Sequence, residues 1–226
     1  MSESPSSEGV RKVRVFPLPN FVLFPHVAQP LHIFEPRYRK MTEDALADDQ
    51  ILAMAALLPG WQADYEGRPP IAPVVCLGRI LTHTKLEDGR FHLLLIGQER
   101  AKVIREIDEE LPYRVAEVEF LPDHYPARGA TTRGGLQMRL VDGLRPFLPQ
   151  SKELATQLEP LLSAQTPLGN LTDVVASTLP FSAEFKLQLL ADANVDRRAE
   201  MLISALREAA GDDIRRPPTP PDFSDN

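Results

Sequence analysis

The sequence predicts an α+β protein: a small, mostly antiparallel β-barrel or sandwich with one inserted helix over residues 10–123, followed by an all-helical bundle over 124–210. Three observations predict it. About six strand-like runs fall between residues 13 and 120, a single stretch of helical spacing interrupts them, and near residue 122 the hydrophobic period changes from two to between three and four. Residues 1–9, rich in Ser and Glu, and 211–226, which pass through Arg-Arg-Pro-Pro-Thr-Pro-Pro, read as disordered tails.

The first elements lie in Val13–Met41, which holds Pro17, Pro19, Pro25, Pro30 and Pro36. Each proline fixes φ, removes a ladder donor and pushes the preceding residue toward extended geometry, so short strand pieces broken by bends are expected here. Pro36 then suits the first position of a helix with Tyr38, Met41, Ala45 and Leu46 facing inward. Asp48-Asp49 ends that pattern. Ile51–Leu58 is a continuous apolar run, the signature of a strand buried on both faces, stopped by Pro59-Gly60. Trp61–Pro73 mixes Gly, Pro and charge and reads as an exposed loop.

Val74–Leu86 and Phe91–Ile96 are strands joined by Glu87-Asp88-Gly89-Arg90, where Asp-Gly predicts a type I′ hairpin turn. Gly97 permits a sharp bend into Arg100–Ile107. Tyr113–Phe120 alternates, with Ala116, Val118 and Phe120 on one face and Glu117 and Glu119 on the other. Beyond residue 122, Leu136, Leu140, Leu144 and Phe147 form one helical stripe, and Ser151 caps a second carrying Leu154, Leu158, Leu161 and Leu162. A third begins at Asn170–Asp173 in capping-box fashion, with Leu171, Val174, Val175 and Leu179 inward. Ser182 caps a fourth through Phe185 to Leu190, and Asn194 a fifth with Met201, Leu202, Ala205 and Leu206 buried.

Composition narrows the function. With 226 residues and 43% hydrophobic content the chain can build a core. It shows no apolar run of membrane-spanning length and no signal-peptide pattern at its N-terminus, so a cytoplasmic location is expected. The net charge of −7 divides into −3 over residues 10–125, 0 over 126–210 and −2 in each tail. Neither folded part is basic, which argues against nucleic acid as a partner.

No catalytic constellation emerges. Cys76, the only cysteine, sits in Val-Val-Cys-Leu and reads as strand packing. Glu109-Glu110 reads as a solvated turn within the acidic run 106–110. There is no G-x-S-x-G, no H-E-x-x-H and no G-x-x-x-x-G-K-[ST]. A two-residue turn at Asp88-Gly89 would set His83 and His92 diagonally on one face, but no third ligand joins them, so no metal and no cofactor is expected. His26 and His32 read as packing or hydrogen-bonding residues, and Arg37 and Arg39 as pairing locally or covering the exposed face of the helix. Exposed aromatic groups remain. Trp61 and Tyr65, in the polar loop, with Phe34 and Tyr38 beside Pro36, are the candidate peptide-binding residues.

A set of local sequences now matters together: Phe16-Pro17-Leu18, Leu23-Phe24-Pro25, Pro30 through Tyr38, Leu95-Ile96-Gly97-Gln98-Glu99-Arg100, Leu171-Thr172-Asp173, Leu179-Pro180, Lys186 through Leu190, and Arg197-Arg198. In this order the chain resembles the N-terminal, substrate-engaging domain of ATP-dependent Lon proteases in free-standing form, over roughly residues 13–208. The resemblance implies a PUA-like β-barrel followed by a helical bundle. It also implies a non-catalytic module, without ATPase or protease activity, whose partners are unfolded or apolar polypeptide segments. The rival expectations are a scaffold that docks on a folded partner or self-associates, an enzyme, and an RNA-binding protein suggested by the PUA-like fold alone.

Overall fold

A computed structural model describes residues 9–64, 67–148 and 165–211. The second expected bundle helix and both tails, apart from Gly9 and Gly211, lie outside these residues, as does Tyr65.

Among the described residues six strands and five α-helices follow one another as β1 Val10–Pro19, β2 Ala28–Ile33, α1 Pro36–Leu46, β3 Ile51–Leu57, β4 Val74–Lys85, β5 Phe91–Ile107, β6 Arg114–Phe120, α2 Arg133–Leu144, α3 Leu168–Thr178, α4 Ala183–Ala191 and α5 Val195–Gly211. Sheet order is β2-β5-β4-β3-β1-β6, and β5 also pairs with β6. The ladder β1–β3–β4–β5–β6 therefore returns on itself, with β2 appended along the first half of β5. Among the described strand pairs only β1 and β3 run parallel; α1 provides the crossover between β2 and β3.

Two cores follow from this closure. Val13, Val15, Ile51, Ala53, Ala55, Val75, Leu77, Ala101, Ala116 and Val118, from all five ring strands, form one cluster. Alternate residues of the same strands face outward into a larger core shared with α1 and the later helices. That is why every residue of β3 is buried: neither of its faces meets water, as a continuous apolar run requires.

α1 begins with Pro36 at its start and buries Tyr38, Met41, Thr42 and Ala45, while Leu46 is only half-buried. Tyr38 packs on Phe16 with ring centres 4.5 Å apart, and the Thr42 hydroxyl donates to the Tyr38 carbonyl at 2.8 Å, satisfying its own buried oxygen.

The hairpin differs from expectation. Gly89 N–H donates to the Leu86 carbonyl and Leu86 N–H to the Arg90 carbonyl, and Gly89 alone of the turn residues has positive φ, at 80°. This is a three-residue loop, a turn followed by a left-handed glycine, rather than a type I′ turn. The extra residue moves the register by one, so Thr84 faces His92 and His83 faces Leu93. His83 and His92 thus project from opposite faces.

At Gly97 the strand continues. The register jumps from Leu77↔Glu99 to Gly78↔Gly97, leaving Gln98 as the extra residue of a bulge. A Cβ on Gly97 would sit 2.0 Å from the Phe24 carbonyl oxygen, so glycine is required by close approach of the β1–β2 connection, whose His26 N–H donates to the Gly97 carbonyl at 2.8 Å.

Helix α2 buries Leu136, Leu140 and Leu144 and passes into a short 3-10 turn, Arg145–Phe147. Ser182 caps α4 by accepting from Phe185 N–H at 3.2 Å, and Asn194 accepts from Arg197 N–H at 3.1 Å at the start of α5. α5 buries Val195, Ala199, Leu202, Ile203 and Leu206; Met201 and Ala205 are half-buried, one position around the helix from the expected stripe. α3 corrects a larger point. It starts at Leu168 after Pro167, and Asp173 lies on its buried face rather than capping its first turn, because an arginine of the sheet claims the carboxylate.

Candidate functional site

That arginine is Arg100 of β5. Its guanidinium grips Asp173 through both terminal nitrogens, and its Nε donates to the Leu190 carbonyl at 3.1 Å. Arg198 of α5 completes the arrangement, donating to Asp123 at 2.7 and 2.9 Å, to the Asp192 carbonyl at 2.9 Å and to the Thr172 hydroxyl at 3.2 Å. Asp123 also accepts from Arg100 at 3.3 Å. Two positive and two negative groups from a strand, the chain leaving β6, and two helices therefore meet at the sheet–helix junction. Burial pushes the Asp173 carboxyl up, against the pull of Arg100 and Arg198. Burial also pulls Arg198 down, but Asp123 and Asp173 outweigh it and leave the guanidinium raised.

Above this junction opens a cleft of about 740 Å³. Its walls come from the β5 bulge, the end of β6, the chain that follows, and the start of α3. Phe120, 37% exposed, and Tyr125, 41% exposed, give it aromatic surface. Phe120 shares the face of Ala116 and Val118, as its alternation predicts, but it is the last residue of β6 and leaves the ring interior for the cleft. Tyr125 is held firmly: its hydroxyl accepts from Gly169 N–H at 3.2 Å, and the Arg133 guanidinium covers its ring at 5.2 Å. Arg133 is fixed in turn by Asp196 at 2.6 and 2.9 Å. Next to Tyr125, His124 is clipped to the α4–α5 connection through Ala193 and Val195.

Gln98 and Asn170 bring side-chain amides to the same cleft. Each offers donors and an acceptor, the groups that pair with an extended backbone. His26 also lines it, with φ at 65°, an uncommon conformation for a side-chain-bearing residue. Lining charges of both signs, Arg11 and Glu99 at the rim and Arg100 with Asp123 below, leave the cleft without net charge. Aromatic walls, free amides and balanced charge suit uncharged, partly apolar chain segments.

Of the four aromatic residues singled out from sequence, Trp61, Phe34 and Tyr38 do not line this cleft, and Tyr65 lies outside the described residues. Trp61 is half-buried in a short 3-10 turn, Trp61–Asp64. Phe34 is 60% exposed beyond β2. Tyr38 is 4% exposed and packed in the core against Phe16; its accessible edge joins Arg37, Pro69 and Arg114 around a smaller pocket of about 270 Å³. Arg37 pairs with Glu35 at 2.9 Å, as expected. Cys76 is fully buried, and burial pushes its thiol up, away from the thiolate a nucleophile needs. Phe120 and Tyr125 escaped sequence reading because one closes an alternating strand and the other stands among prolines. The signal available was Tyr125 itself, a large aromatic in a polar connection.

Comparison with known proteins follows the same lines. The family description "ATP-dependent protease La (LON) substrate-binding domain" matches residues 12–208. The Lon protease of Heliobacterium modesticaldum is 24% identical over 197 residues, covering 87% of this chain and 24% of that protein. The Lon protease of Haemophilus influenzae is 27% identical over 203 residues, covering 88% and 24%. The chain thus spans about a quarter of the length of these curated relatives. Among solved structures, the N-terminal domain of Mycobacterium avium complex Lon protease superposes with a TM-score of 0.67 at 18% identity, covering 88% of this chain and 99% of that one. A Lon N-terminal domain protein from Xanthomonas campestris gives 0.60 at 23% identity, covering 86% and 98%. The shared fold is a mixed α+β arrangement of a six-stranded sheet and several helices. Among the described residues no helix is long and apolar enough to cross a membrane.

Proposed function

Because this chain belongs to the ATP-dependent protease La (Lon) substrate-binding domain family, we propose that it binds unfolded or apolar polypeptide segments, without catalysis of its own, in the cleft between sheet and helices. The observation that carries this reading is the pre-organised aromatic wall: Tyr125 is held at its hydroxyl by Gly169 and over its ring by Arg133, itself fixed by Asp196, before any ligand arrives, so little side-chain freedom is lost on binding. The closed strand ring reads as a PUA-like barrel over residues 10–123, and the later helices as a bundle over 124–210, with the cleft at their seam. In this reading Phe34, the Trp61 loop with Tyr65, and the edge of Tyr38 on α1 supply a second contact surface for longer segments.

Fluorescence anisotropy with labelled peptides from a denatured model protein tests this. Phe120→Ala should weaken binding about tenfold, the loss of roughly 1.4 kcal/mol expected for one aromatic contact. Tyr125→Phe, which keeps the ring, should change it little. If the wild-type chain binds no peptide, or if Phe120→Ala binds as well as wild type, the cleft is not the site.

A further inference from the structure

The solvent face of β2, β5 and β4, away from the cleft, carries a second group of titratable side chains. His32 of β2 stands directly opposite His92 of β5 in the ladder. Their ring centres are 4.9 Å apart with planes at 86°, and both residues are exposed. We propose that His32 and His92 form a two-histidine site for a divalent transition-metal ion of the zinc, nickel or copper class.

The separation fits such a chelate. With Zn–N bonds of about 2.0–2.1 Å, two imidazoles on one tetrahedral ion have ring centres roughly 5 Å apart. The spacing is set by cross-strand pairing, so no backbone movement is needed. The perpendicular rings need only turn about χ2, a broad torsion in imidazole, to aim one lone pair each at a common point. Among the described residues neither imidazole takes part in a hydrogen bond or ion pair, so their nitrogens are open to water.

The surroundings bear on which ion is taken. The neighbours on this face, Pro30 two residues before His32 on β2 and Thr84 opposite His92 on β4, are uncharged. Arg90, two residues before His92, is engaged by Asp88 at 2.6 Å. Phe34 stands edge-on to His32 at 6.0 Å and screens one side. With imidazole donors and no carboxylate beside them, the pair selects zinc, nickel or copper over calcium or magnesium. Among the described residues no group of three His, Cys, Asp or Glu gathers to close a coordination shell, so water keeps the remaining positions and the ion exchanges readily.

Isothermal titration of the full chain with zinc chloride and with nickel chloride tests the site, alongside NMR of the histidine ring protons. One ion should bind per chain, with both His32 and His92 resonances shifting. Affinity should fall at least tenfold in His32→Gln and in His92→Gln and vanish in the double variant, with His83→Gln unchanged. Both residues are exposed, so the variants should melt as the parent does without metal, and only the parent should gain melting temperature with zinc. Undiminished binding by the double variant, or no saturable binding by the parent, would overturn the proposal.

Discussion

The interior of the strand ring is closed to water and the junction beneath the helices largely so, with Asp123 alone of its four charged groups partly exposed, yet the first is built from Val, Ile, Leu and Ala and the second from two arginines and two aspartates. The ring interior needs only small apolar side chains, because five strands already satisfy one another's backbone groups. The junction must receive elements that arrive from distant parts of the chain, and its charges fix how they seat: each hydrogen bond there has one geometry, whereas apolar surfaces tolerate sliding. Packing inside the ring thus rests on non-directional burial, whereas the helices, which also bury apolar surface against the outer faces of the strands, are set in place by directional contacts that form the floor of the cleft.

Removing one member of the junction should produce the largest effect. Asp173→Ala leaves Arg100, 3% exposed at its side chain, without its main partner, and Asp123 as the one carboxylate shared between Arg100 and Arg198. A loss of about 3–5 kcal/mol is expected in urea unfolding, because an uncompensated buried charge remains. The pair Arg100→Met with Asp173→Leu removes both charges and should recover much of that loss. If the single variant lost less than the double one, the junction would be acting as apolar packing and the contrast with the ring would fail.

The ring interior should respond to volume instead. Ala116 is fully buried between strands, and Ala116→Leu should cost about 1–3 kcal/mol by overpacking. Ala116→Ser, nearly the same size, separates volume from polarity: it should cost less than leucine does.

The same contrast explains what was legible. The ring strands, α1 and the caps at Ser182 and Asn194 were readable because period, proline position and cap chemistry are local. The hairpin register was misread by one residue because Asp-Gly is compatible with two loop lengths, and only the pairing of Lys85 with Phe91 decides between them. Asp173 was assigned to a helix start because its partner, Arg100, is 73 positions away. Yet Arg100, Asp173 and Arg198 all lay within the segments that carry the family resemblance, so the likeness marked the junction where periodicity could not. The cleft was missed for the same reason: Phe120, Tyr125 and Asn170 become neighbours only once the helices are seated.

Charge pairs nearer the surface grade the comparison further. At the mouth of the ring, Asp49 receives Ile51 N–H at 2.9 Å, Arg11 at 2.7 Å and Arg14 at 2.9 Å. Burial pushes its carboxyl up, but these donors outweigh it and hold the group below the usual carboxylate range. A folded-state pKa below the unfolded one means that the stabilisation is complete above about pH 4 and is lost as pH falls through the folded value. Asp49→Asn should therefore lower stability at neutral pH and flatten the acid limb of a melting-temperature profile. An unchanged acid limb would show that the three donors act on packing alone.

Arg105 and Glu117 should give the smallest effect, and for that reason they calibrate the rest. They pair across β5 and β6 through two bonds of 2.7 Å, as well aligned as the contacts of the junction. The difference is solvent: the Arg105 side chain is 63% exposed, against 1% for Asp173. Water screens the attraction and rehydrates whichever partner is left behind, so Glu117→Gln should cost about 0.2–1 kcal/mol, and less as salt is added. Asp173→Ala should keep its effect in the same salt series. If both variants faded together with ionic strength, burial would not be what distinguishes the junction, and the cleft floor would be far softer than its geometry indicates.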